Sequence, residues 1–121
     1  MESIKLFDGE MKLMELLWEA EPISAKQLSI LAAEKYDWNK NTTYTVIKKL
    51  NDKNVIKRTE PNFICTSIIK KQDIQQTETQ NLIEKLFNGS KKAFLSAFVQ
   101  NEELSKEEIE ELKKLIEDKK A

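Results

Sequence analysis

The sequence predicts a mainly α-helical chain with one small β-hairpin, and three observations carry that reading. Apolar residues recur at helical spacing in six stretches, several of them preceded by a Ser, Asp or Asn suited to an N-cap. Residues 55–67 break this pattern with two β-prone runs around the turn formers Pro61 and Asn62. Basic residues crowd into residues 40–71, although the whole chain has a formal net charge of −1.

A chain of 121 residues with 40% apolar and 34% charged side chains fits one ordinary domain, or a small domain with an oligomerisation arm. Histidine is absent, which removes the commonest general base and the commonest nitrogen ligand for a metal. The two glycines, Gly9 and Gly89, supply neither a phosphate-cradling loop nor a dinucleotide fingerprint. Cys65 stands alone, so neither a disulfide nor a paired thiol site is expected. An enzyme, a cofactor or a metal site is therefore not expected. Uninterrupted apolar runs such as Ala97-Phe98-Val99 are far too short for membrane insertion, and residues 1–8 carry no apolar export signal, which points to the cytoplasm.

The first helix is expected over residues 9–19, capped by Asp8, with Met11, Met14, Leu17 and Trp18 facing inward and Pro22 ending it. Ile23 is a candidate for a very short strand. Ser24-Ala25-Lys26-Gln27 fits a capping box, so a second helix starts near Ala25 with Leu28, Leu31 and Ala32 inward. Residues 34–38 read as a turn leading to Asn39, the cap of the third helix.

That third helix, residues 40–53, places Thr43, Val46, Ile47 and Leu50 on one side. A step of about 100° per residue puts Asn41, Thr45, Lys48 and Asp52 opposite, flanked by Thr42 and Lys49. Short hydrogen-bonding side chains followed a turn or two later by lysines suit a major groove, where the former read base edges and the latter meet phosphates. Residues 55–58 and 63–67 form the hairpin, and Lys57 and Arg58 make it basic. Three helices followed by such a hairpin are a winged helix-turn-helix. Residues 40–71 hold eight basic side chains against two acidic, whereas residues 72–121 hold eight against eleven, so the positive field is local.

Beyond residue 71 only helices are expected. One spans residues 73–87 with Ile74, Leu82, Ile83, Leu86 and Phe87 on its apolar side and ends at Asn88-Gly89. A second, residues 90–100, carries Phe94, Leu95, Phe98 and Val99. The last opens at the capping box Ser105-Lys106-Glu107-Glu108 and aligns Ile109, Leu112 and Ile116, with Leu115 beside them. About 50 residues with this little apolar surface are marginal alone, and a second copy of the chain can cover them. The expected division is a DNA-binding winged helix at residues 1–71 and a helical dimerisation domain at residues 72–121. Leu82, Leu86, Phe94, Leu95, Phe98, Ile109, Leu112 and Ile116 are the expected homodimer contacts.

The run Asn41-Thr42-Thr43-Tyr44-Thr45-Val46-Ile47-Lys48-Lys49-Leu50, followed by Lys53-Asn54-Val55-Ile56-Lys57-Arg58, closely resembles the recognition helix and first wing strand of the penicillinase-repressor family. Residues 10–18 and 98–105 resemble that family too, so the likeness spans nearly the whole chain. It implies a bacterial dimeric repressor on a palindromic, double-stranded operator of a resistance or stress operon. Asn41, Thr42, Thr45, Lys48 and Lys49 then face DNA, with Tyr44 at the edge and Arg58 on the wing. Family members that answer β-lactams are linked to a membrane sensor-protease pathway and are cleaved at an Asn-Phe bond. The matching bond here is Ala97-Phe98, a departure that weighs against induction by that cleavage. Copper-responsive members carry paired cysteines near the C-terminus; this sequence has none there.

Two other readings compete. A winged helix also serves as a protein-interaction adaptor without DNA binding, since a fold does not settle a function. A hydrolase built on Glu107 and Glu110 stands far behind, because those carboxylates sit on a polar helix face. Cys65, among apolar strand residues, reads as a small buried hydrophobe rather than a redox switch.

Overall fold

Each helix of the N-terminal half begins where an oxygen can take up an orphan backbone N–H. The computed structural model describes residues 5–119, so the chain ends that bear on export and on the cysteine-free tail lie partly outside the described residues. Helix α1 spans Asp8–Ala20. The Phe7 N–H donates to Glu10 Oε1 at 2.8 Å, and Lys53 Nζ donates to the same oxygen at 2.7 Å. Asp8 is therefore not the N-cap but the first helical residue, where its charge still favours the positive end of the helix dipole. The cap is Phe7, whose backbone is satisfied by the carboxylate three residues on, one arm of a capping box.

Strand β1 (Ile23–Ser24) leads into α2 (Ala25–Tyr36), whose first turn is closed by the Gln27 N–H donating to Ser24 Oγ at 3.1 Å. The helix runs further than the expected turn at residues 34–38. Asp37 takes the left-handed conformation, φ 58°, and its N–H donates to the Ala33 carbonyl at 3.0 Å, ending α2 cleanly at Tyr36. Asn39 then caps α3 (Lys40–Asp52), accepting the Thr42 N–H at 2.8 Å.

The core forms where these three helices meet the sheet: Leu13, Met14, Leu17, Leu28, Ala32, Ile47 and Leu50 are buried together with Val55, Ile56 and Cys65. Met11 and Trp18 lie half-buried at the margin, while Leu13 and Leu16 take inward positions. The reason is that α1 is packed by α2, α3 and the sheet, so its buried face is wider than a single stripe.

Strands β2 (Ile56–Thr59) and β3 (Ile64–Ser67) form the hairpin, and β3 also pairs with β1, giving the antiparallel order β1-β3-β2. Cys65 stands opposite Ile23 on one side and Arg58 on the other. Val55 precedes the ladder, its N–H donating to the Leu50 carbonyl at 2.9 Å, and Phe63 belongs to the turn with φ 49°. The sheet is tied back to α1 twice: Glu21 Oε1 accepts the Ser67 N–H at 2.7 Å, and Trp18 Nε1 donates to the Ile69 carbonyl at 3.1 Å.

Three further helices follow: α4 (Lys71–Phe87), α5 (Lys91–Asn101) and α6 (Lys106–Lys119). The chain is mainly α, with a winged-helix N-terminal part and a helical C-terminal part. It divides into two compact units, Met1–Thr79 and Gln80–Ala121, with the division inside α4. In the first unit Ile74 of α4 joins the core, and Lys71 pairs with Glu15 at 2.9 Å. In the second, Ser90 caps α5 by accepting the Ala93 N–H at 3.1 Å. Ser105 and Glu108 complete both arms of their capping box, each at 3.1 Å. The rings of Phe87, Phe94 and Phe98 follow one another with centroids 5.6 and 6.4 Å apart.

Burial pushes the Cys65 thiol above its usual pKa, and the Arg58 charge nearby opposes this only in part. Less thiolate and no access both slow attack. Cys65 in the folded protein is therefore expected to react with a disulfide reagent at pH 8 far more slowly than after denaturation; rapid labelling of the native protein would contradict its place in the sheet.

Candidate nucleic-acid interface

Helix α3 is built to keep one face empty. Thr43, Ile47 and Leu50 are fully buried, which forces Asn41, Thr42, Thr45, Lys48 and Lys49 outward, and all five are exposed. The Thr45 hydroxyl donates to the Asn41 carbonyl at 2.9 Å. Its proton is thus spent on the helix, and what Thr45 offers outward is an acceptor oxygen and a methyl group. Asn41 keeps its whole side-chain amide free of the helix backbone, able to donate and accept side by side.

The eight basic residues of this region are not equivalent. Lys53 is held by Glu10 and also donates to the Lys5 carbonyl at 3.2 Å, and Lys71 is held by Glu15. Both are structural. Among the described residues Lys48, Lys49, Lys57 and Arg58 enter no ion pair, and all four are exposed. Positive charge therefore stands free on the second half of α3 and on strand β2. Lys40 at the start of α3 lies over the Tyr44 ring, 5.5 Å from its centroid.

Tyr44 is half-buried and lines an open groove of about 750 Å³ with Ser24, Lys26, Gln27, Ile30, Asn62, Phe63 and Ile64. The start of α2, the middle of α3 and the hairpin turn thus meet around one depression. Lys26, Gln27, Asn62 and Phe63 were not singled out from sequence. The signal for the first two was the Ser24 cap, which aims the exposed opening of α2 beside α3; for the others it was an aromatic residue following Asn in a turn.

In the C-terminal unit, Leu82, Leu86, Leu95, Phe98, Ile109, Leu112 and Ile116 are all exposed, and Phe94 is half-buried beneath its neighbouring rings. Neither α5 nor α6 buries a single residue. Ala97 is half-buried and Ala97-Phe98 lies within the helical span of α5. Among the described residues no helix is long and apolar enough to cross a membrane, and no group of three or more Cys, Asp or Glu is placed to hold a metal ion.

A three-helix core, a third helix with one face left empty and a basic hairpin beside it define a winged-helix protein. The chain belongs to the penicillinase repressor family, whose model matches residues 7–118. It is 29% identical over 117 residues to the penicillinase repressor of Staphylococcus aureus, covering 95% of this chain and 93% of that one. It is equally 29% identical over 114 residues to the methicillin resistance regulatory protein MecI of the same species, covering 93% of each, and 23% identical over 118 residues to the penicillinase repressor of Bacillus licheniformis, covering 96% and 92%. The chain is accordingly a transcriptional repressor and not an enzyme.

The start of α3 is closed by the Asn39 cap. Replacing Asn39 by Ala removes the acceptor for the Thr42 N–H and should cost about 1 kcal/mol of stability, measured by urea denaturation. Asn39→Asp, which keeps an acceptor oxygen, should lose little; a loss as large as that of Asn39→Ala would show that the acceptor oxygen is not what stabilises the helix start.

Proposed function

We propose that the chain binds a palindromic operator on double-stranded DNA as a homodimer, with α3 of each copy in the major groove. The observation that carries this reading is the exposed face of α3, where Asn41, Thr42 and Thr45 precede the unpaired Lys48 and Lys49. Asn41 suits adenine, which presents an acceptor and a donor side by side, and the Thr45 methyl suits thymine. Lys48 and Lys49 reach phosphates on either side, Tyr44 borders the groove, and Arg58 extends the contact from the wing. Names of relatives that refer to penicillinase and methicillin resistance support control of a resistance or stress operon.

The exposed apolar side chains of the second unit support the homodimer. Seven large ones are exposed on α4, α5 and α6 at the expected contact positions, and a helix such as α6 that buries none of its residues gains its stability from a partner. Two linked readers then engage half-sites roughly 34 Å apart along one groove face. Induction through a membrane sensor-protease pathway acting at Ala97-Phe98 requires α5 to open locally first, because the bond sits in a hydrogen-bonded helix.

Footprinting on the DNA upstream of the gene is the direct test, and a protected stretch with dyad symmetry is expected. Thr45→Ala should weaken operator binding about five- to tenfold and relax selectivity at one base pair. Lys48→Ala should weaken it on all sequences and flatten the plot of log K against log salt by about 0.9 per half-site. Unchanged binding in both variants would remove α3 from the interface.

The dimer has its own test. Leu112→Asp should shift the protein to monomer in sedimentation velocity and reduce operator affinity about a hundredfold through loss of the linked second site. A variant that stays dimeric with full affinity would place the dimer contact elsewhere.

A further inference from the structure

Phe63 occupies a position that favours another residue. It has φ 49°, following Asn62 at φ 70°, so two successive residues of the hairpin turn lie in the left-handed region. Asn adopts that region readily, whereas a bulky aromatic is disfavoured there. Phe63 is also 48% exposed, so burial does not compensate for the backbone. What the ring does touch is Arg58: the guanidinium carbon lies 5.1 Å from the ring centroid.

The backbone of Phe63 is anchored independently of its ring. Its carbonyl accepts the Ala25 N–H at 3.0 Å, tying the turn to the start of α2. The residue that carries the ring is thereby fixed in place, and Arg58, on strand β2, has its guanidinium over the ring. Arg58 has no acidic partner among the described residues, although Glu60 is only two positions away. Lys57, the other cation of the strand, lies over no aromatic ring among the described residues. A guanidinium on an aromatic face keeps its five N–H donors free at the edge while losing rotational freedom in advance.

We propose that Phe63 is a positioning residue for the wing: its ring holds the Arg58 guanidinium close and pre-ordered so that the wing presents its N–H donors to a DNA phosphate. This rests on the operator-binding reading above. Strain at Phe63 is retained because the ring, and not the turn, is what the site needs. A freely rotating arginine must be immobilised at the moment of binding, and the stack removes that cost beforehand.

The test uses the full-length protein and four variants: Phe63→Asn, Phe63→Tyr, Arg58→Ala and the double variant Arg58→Ala/Phe63→Asn. Phe63→Asn suits the left-handed backbone, so its melting temperature should equal or exceed that of the parent. Its operator affinity should nonetheless fall about two- to fivefold, the range an exposed cation–π contact supplies. Phe63→Tyr keeps the platform and should bind as the parent does. With Arg58 already gone, removing the ring should cost nothing further, so the double variant should bind as Arg58→Ala does. Additive losses in the double variant, or full affinity in Phe63→Asn while Arg58→Ala is weakened, would overturn the positioning role. A parent protein with no operator affinity would instead defeat the operator reading itself, and the two failures are told apart by the parent alone.

Discussion

The burial of Thr43, Ile47 and Leu50 is the constraint from which the rest of the N-terminal unit follows. These side chains fall along one line of α3 and are entirely removed from solvent. Once that line faces α1 and α2, the rotation of α3 about its own axis is settled, and the side chains a half-turn away have no protein to touch. An empty face on a helix is therefore not a surplus surface but the complement of a full one. Leu50 also sets the exit from the helix: its carbonyl accepts the Val55 N–H, and Val55 and Ile56 continue the core without a break. The hairpin must then leave along the flank of α3.

The placement of the wing is a second-order result of the same packing. Strand β3 is central, paired on one side with the two residues that precede α2 and on the other with β2. Glu21 and Trp18, at the end of α1, clasp the strand and the segment after it through Ser67 and Ile69. The wing is thus fastened to the end of α1 at its base and, through the Phe63 carbonyl, to the start of α2 at its turn. Such an arrangement holds the backbone of the wing in place and leaves fine adjustment to its exposed side chains, Arg58 on strand β2 and Phe63 in the turn.

Much of this was legible in the residues. The caps Ser24, Asn39 and Ser105 have a single physical meaning, an oxygen beside an orphan N–H, and each stands where it was read. The faces of α3 were legible because its apolar and polar positions separate cleanly at helical period. Asp8 misled because it is a good cap in isolation, and the competing carboxylate of Glu10 draws its strength from Lys53, distant in sequence. The end of α2 was missed because Asp37 stops it with a backbone conformation, which leaves only a faint mark in composition. The groove around Tyr44 could not be read, since its walls come from three separate segments and exist only once the core has closed.

The chain contains two tryptophans, Trp18 and Trp38, and two tyrosines, Tyr36 and Tyr44. All four lie in the unit Met1–Thr79, with Trp18 bonded to the strand exit and Trp38 packed against Tyr36 at 5.5 Å. The unit Gln80–Ala121 holds phenylalanine as its only aromatic residue. Indole emission from this protein consequently originates in the N-terminal unit alone, and α5 and α6 contribute none of it. Circular dichroism, which counts helices everywhere, sees both halves, so the two spectroscopies together resolve the chain into its parts without any label.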